Sequence, residues 1–73
     1  MSTMYVISNE TNEIVATITG PATAGRNQNR FHEEIFETKF GSNDYSNSFT
    51  DFGIDYATSV EEIEFNEDGV VTE

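Results

Sequence analysis

His32 is the one histidine of the chain, and there is no cysteine to accompany it. A general base must lie within hydrogen-bond reach of the proton it takes. Within His32-Glu33-Glu34-Ile35-Phe36 the neighbouring carboxylates are adjacent in sequence, and adjacent helix residues point in different directions. No motif sets a serine nucleophile beside the ring. The position at which a His-Glu-x-x-His zinc helix needs its second histidine holds Phe36. His32 therefore reads as a packed or exposed histidine on a helix. Oxygen donors for a hard cation gather at Asn43-Asp44, Asp51, Asp55 and Glu67-Asp68, but none of these segments has the alternating ligands and terminal Glu of an EF-hand loop. Gly20 and Gly25 do not form a phosphate-cradling fingerprint. Carboxylate pairs for glycoside hydrolysis can be drawn in many ways from fourteen acids and so carry no information. The expectation is a protein that is not an enzyme, with no catalytic residue, cofactor or metal. A divalent-metal-dependent small enzyme stands as an alternative.

The elements that would hold any site are those of one small domain over residues 1–73. Met4-Tyr5-Val6-Ile7-Ser8 and the run from Glu13 to Thr19 are β-branched and aromatic, and Asn9 to Asn12 between them is a polar turn cluster, which predicts an antiparallel hairpin. Ile14, Ala16 and Ile18 share one face of its second strand and are expected to pack against a helix. Gly20-Pro21 ends that strand. From about Arg26 to Phe40, with Thr23 one possible N-cap, the residues Phe31, Ile35, Phe36 and Phe40 fall on one helical arc, and Gly41 sits where a left-handed C-terminal residue is expected. Residues 41–53 mix turn formers with three aromatics and read as a structured loop anchored by rings, with at most one helical turn. Ser59 to Glu62 has the form of a capping box, yet Glu62-Ile63-Glu64-Phe65 alternates as a strand does, and a strand with one irregularity fits 59–65 better. Asn66 to Gly69 is a turn, and Val70-Val71-Thr72 can return as an edge strand. The fold class is α+β: a small antiparallel sheet of three or four strands, its pairing antiparallel or mixed, with one main helix on one face, in the order β-β-α-β-(β).

Charge is the feature that goes beyond a generic domain. The net charge is −11, and residues 44–73 hold nine acids and no basic side chain, whereas Arg26, Arg30 and Lys39 all lie earlier. Acidic tails are commonly disordered. Here the acids are interleaved with Tyr45, Phe49, Phe52, Ile54, Tyr56, Val60, Ile63, Phe65, Val70 and Val71, which predicts a folded acidic surface. Such a chain repels phosphates, so direct binding to nucleic acid is disfavoured. It has no stretch of membrane-span length and no signal-like start, so no membrane association or export is expected, and the cytoplasm is the expected compartment.

A charge of roughly 2–8 suffices to keep a small domain soluble, and self-repulsion above that costs stability. A basic partner would relieve it. In a strand Glu62 and Glu64 stand about 6.6 Å apart on one face, against a charge every ~3.4 Å along each strand of duplex DNA. With Glu33, Glu34 and Glu37 of the helix they would form a row of carboxylates that imitates a phosphate backbone.

A compact, cysteine-free, strongly acidic chain with a hairpin, one helix and aromatic-rich acidic loops resembles the small phage-encoded inhibitors, anti-CRISPR proteins and DNA mimics among them. The resemblance spans the whole chain in size and charge and rests on no motif. It implies an inhibitor that occupies a basic nucleic-acid-binding protein or complex of a host defence or nuclease system, in the host cytoplasm. Partner-binding residues are then expected among Asp44, Asp51, Asp55, Glu61, Glu62, Glu64, Glu67 and Asp68. Tyr45 and Phe49 are candidate anchors, with core packing as the competing role. A rival from another class is a phage or plasmid accessory protein that assembles through the edge of its sheet; the oligomeric state is open.

Overall fold

The computed structural model describes residues 2–21, 29–41 and 43–66, and the backbone of 69–72. Strand β1 (Ser2–Ser8) and strand β2 (Ile14–Gly20) are followed by helix α1 (Arg30–Phe40), β3 (Tyr45–Ser48), β4 (Tyr56–Asn66) and β5 (Gly69–Thr72). The alternation of β1 buries Met4, Val6 and Ser8, and that of β2 buries Ile14, Ala16, Ile18 and Gly20. The two strands pair antiparallel from Ser2↔Gly20 to Ile7↔Ile14, with an irregularity between Val6 and Ile7. Ser8 closes the turn: its carbonyl accepts from Asn12 N at 2.7 Å, and its hydroxyl accepts from the amides of Glu10 and Thr11. Asn12 takes a left-handed φ of 60°, a conformation that asparagine adopts more readily than most residues.

The α+β class, the helix on one face and the β-β-α-β-β frame are as the sequence implies. Ile35 and Phe36 of α1 join Met4, Val6, Ala16, Ile18, Ile63 and Phe65 in the core, with Phe31 and Phe40 half-buried against it. The helix begins at Arg30 after the N-cap Asn29; Arg26 and the candidate cap Thr23 lie outside the described residues. Gly41 differs from expectation. Its φ is −69°, so a left-handed turn is not its role; a Cβ there would run into the carbonyl oxygen of Glu37.

The sheet has one strand more than the expected three or four, and of the two kinds of pairing left open, antiparallel or mixed, it takes the second. It has five strands in the order β3-β1-β2-β4-β5, because Tyr45–Ser48, within the expected loop, pairs with β1 from Tyr5↔Ser48 to Ser8↔Tyr45. It is also mixed: β4 runs parallel to β2, from Ile14↔Tyr56 through Ala16↔Glu61 to Thr19↔Glu64. The chain between them passes through α1, the kind of crossover that a parallel neighbour requires. The residues from Tyr56 to Glu61 oppose only Ile14 to Ala16, so the irregularity begins earlier in the strand than the one that the spacing of Val60, Ile63 and Phe65 implies. β5 closes the sheet antiparallel to β4, Phe65↔Val70 and Asn66↔Gly69. Among the described residues no helix is long and apolar enough to cross a membrane.

Candidate partner-binding surface

Register decides where the carboxylates of β4 stand. Ile63 lies beside Ile18 and turns with Phe65 into the core under α1. By the period of two, Glu61 shares that side of the sheet, where Lys39 of α1 donates to its Oε2 at 3.0 Å. Glu62 and Glu64 stand on the opposite, open face, next to Thr17 and Thr19. Thr19 is joined there to Thr3 through a 3.0 Å hydroxyl contact, and the paired residues Tyr5 and Ser48 extend the same face. The open face thus carries two glutamates along β4, beside a strip of threonines and half-buried Tyr5, Ile7 and Val15.

Glu33, Glu34 and Glu37 are exposed on α1, beyond the other face of the sheet. The structure therefore does not bring the helix acids and Glu62/Glu64 into the single row that the sequence suggested. It separates them by the thickness of the domain. Asp44, Asp51 and Asp55 are exposed in the segments around β3 and before β4. Asp44 adjoins the β1–β2 turn, where its carbonyl accepts from Asn9 N at 2.9 Å. With Ser8, Asn9, Glu10 and Tyr45 it lines an open cleft of about 450 Å³. Glu67 and Asp68 lie outside the described residues. Among the described residues no cluster of three or more His, Cys, Asp or Glu is arranged to hold a metal ion.

Of the two candidate anchors, Tyr45 is half-buried against the core, its ring 5.2 Å from that of Phe40 in edge-to-face contact. Its ring packs against the core cluster. Phe49 is 39% exposed, with its ring 5.2 Å from that of His32. His32 itself is fully buried. Its Nε2 lies 2.9 Å from the Ser2 carbonyl, which can only accept, so Nε2 carries the proton. The Phe65 ring stands edge-on at 4.7 Å, and Nδ1 has no hydrogen-bond partner among the described residues. A histidine held in this way is a packing residue that ties α1 to the start of β1.

The sequence reading missed the two most exposed rings, Phe52 at 76% and Tyr56 at 51%. Phe52 and Gly53 both have left-handed φ, 52° and 73°, within a turn closed by Ile54 N donating to the Asp51 carbonyl at 2.8 Å. The Asp51 carboxylate accepts from Gly53 N at 3.0 Å. The signal was available: Asp-x-Gly outside any periodic run marks a turn, and a turn leaves its central side chain in solvent. Tyr56 lies near Tyr5 and Asp51. Although half its surface is open, neighbouring atoms desolvate its hydroxyl, and this, followed by the negative charge of Tyr5 and Asp51, holds its pKa above the ordinary tyrosine value.

No family model, curated protein or solved structure matches the chain. Its own geometry is thus the basis for a functional reading. That geometry comprises exposed carboxylates on helix and strand at both outer faces of a small domain, and an aromatic turn between β3 and β4.

Proposed function

We propose that this protein is an inhibitor that occupies a basic nucleic-acid-binding surface of a host defence or nuclease complex, in the cytoplasm of the host cell, by presenting carboxylates where phosphates would lie. The observation that carries this reading is that the acids stand on folded elements, Glu62 and Glu64 on β4 and Glu33, Glu34 and Glu37 on α1. Three basic residues cannot neutralise fourteen acids, and eleven negative charges remain whatever the pairing. A tail could serve solubility alone; a fixed array of like charges carries a cost in self-repulsion that a basic partner removes. Because the array covers two opposite faces, it suits a channel or cleft with basic walls better than a flat basic surface. Attraction of this kind speeds the encounter and is weakened by salt.

The test is affinity capture from the native host lysate at low and high salt, followed by competition of each captured protein against duplex DNA. A nucleic-acid-binding partner that is lost at high salt and displaced from DNA by this chain is the expected result. A partner whose capture ignores salt, or that binds DNA undisturbed, refutes the mimicry.

One observation favours a second reading, assembly with copies of itself. Among the described residues the strand order puts β3 and β5 at the edges of the sheet, and unpaired edges are templates for pairing between chains. Sedimentation would then give a defined oligomer.

A further inference from the structure

Of the three large hydrophobic side chains that are exposed among the described residues, Phe49 and Phe52 fall in the short connection between β3 and β4, and Tyr56 is the first residue of β4. Single exposed apolar residues are ordinary; a cluster of them marks a contact site. The three are not equivalent. Phe49 is in edge-to-face contact with His32, and Tyr56 begins β4 near Tyr5. Phe52 projects from the tip of the turn, in a left-handed conformation that a bulky residue seldom adopts. Asp51 precedes it directly, and the Asp51 carboxylate lies close enough to the Tyr56 hydroxyl to raise its pKa. The turn thus presents an exposed ring, Phe52, next in sequence to a carboxylate that already holds the turn closed through Gly53 N. Exposed Asp55 follows, and no basic residue occurs anywhere from Asp44 onward.

We propose that the Phe52 turn is the anchor of the interface and that it takes an arginine side chain of the basic partner, with the guanidinium against Asp51 and its plane stacked on Phe52. This rests on the reading of the chain as a ligand for a basic protein surface, and it adds which residue of that surface is recognised. Arginine is selected over lysine because a planar, weakly hydrated guanidinium can stack and bind a carboxylate bidentately together, whereas an ammonium acts as a point charge. The glutamates of β4 and α1 then supply attraction without this discrimination.

The experiment is calorimetric titration of the full chain with an oligoarginine peptide and an oligolysine peptide of equal length, at low and high salt. The wild-type chain is expected to bind oligoarginine roughly two- to five-fold more tightly, the size of an exposed cation–π contact, and both peptides should weaken with salt. Phe52→Leu, which keeps an apolar side chain but removes the π face, should abolish the preference, and Phe52→Tyr should keep it. Glu62→Gln/Glu64→Gln should weaken both peptides alike. Equal binding of the two peptides by the wild type, or a preference unchanged in Phe52→Leu, overturns the arginine anchor while salt-sensitive binding of both leaves the acidic-surface reading standing. Failure of both peptides to bind at low salt overturns the two together.

Discussion

Gly20 ends β2 directly beneath the ring of Phe65, and a Cβ built there meets three atoms of that ring at distances no real Cβ contact tolerates. Its backbone is not left-handed, so Gly20→Ala meets no conformational obstacle. Left to backbone entropy alone, the substitution would stabilise the protein by about 0.4–1 kcal/mol. The ring decides the opposite sign. Phe65 is buried, with Phe31 at 5.8 Å and His32 at 4.7 Å in edge contact, so it has little room to withdraw. Overpacking of this kind costs about 1–3 kcal/mol, and a ring enclosed on several sides belongs in the upper half of that range. A 73-residue domain has a total stability of about 4–11 kcal/mol at ordinary values per residue. At about 4–8 °C per kcal/mol for this size, a cost of about 2–3 kcal/mol lowers Tm by about 8–24 °C. Thermal unfolding followed by circular dichroism measures it. In a Phe65→Leu background the side chain is shorter, and the cost of Gly20→Ala should shrink by more than half, the coupling expected of residues in contact. An unchanged or raised Tm for Gly20→Ala, or equal costs in the two backgrounds, refutes the placement of Phe65 on Gly20 and with it the parallel docking of β4 on β2.

Glu62 and Glu64, about 6.6 Å apart on one face of β4, repel by about 0.3 kcal/mol once water and physiological salt screen them; Glu62→Gln should therefore raise Tm by about 1–2 °C, and the gain should vanish in molar salt, as thermal scans at two ionic strengths would show. The raised pKa of Tyr56 means that the folded state holds the phenolic proton more tightly than the unfolded chain does. This contribution to stability is complete below the ordinary tyrosine value near 10 and disappears as the pH rises through the higher folded value. Spectroscopic titration of tyrosinate should show one late-ionising group that is absent in Tyr56→Phe and titrates earlier in Asp51→Asn.

The parts of the fold legible in the sequence are those that a local period encodes. Met4, Val6 and Ser8 alternate against Ile14, Ala16 and Ile18, and the hairpin follows; Ile35 and Phe36 recur at helical spacing, and the helix follows. β3 was hidden because Tyr45-Ser46-Asn47-Ser48 carries no alternation of apolar side chains. An edge strand needs only its backbone ladder to β1, and that leaves no mark on residue type. The parallel pairing of β4 with β2 was hidden for a related reason: direction is a property of the connection and not of the strand. Gly41 and Gly20 show the limit in another way, since both are glycines for want of space, which only the folded neighbours reveal. For the candidate site, the exposure of Asp44, Asp51, Asp55, Glu61, Glu62 and Glu64 followed from their type. Their division between two faces was already contained in the alternation about Ile63, because whatever sends Ile63 toward α1 sends Glu62 and Glu64 away from it.

The β2–β4 pairing also bears on how the chain reaches its fold. The β1–β2 hairpin joins neighbours in sequence and can form within microseconds, whereas Ile18 meets Ile63 only after the whole intervening chain has been closed into a loop. Pairings of this kind slow folding, because the entropy of closure is lost before any contact rewards it. The strand that must arrive late is the one bearing Glu61, Glu62 and Glu64, so its charges meet the rest of the molecule near the top of the barrier. Added salt should consequently act on the rate of refolding as well as on the depth of the native well, and the most acidic strand of the protein is the step at which folding feels its ionic surroundings.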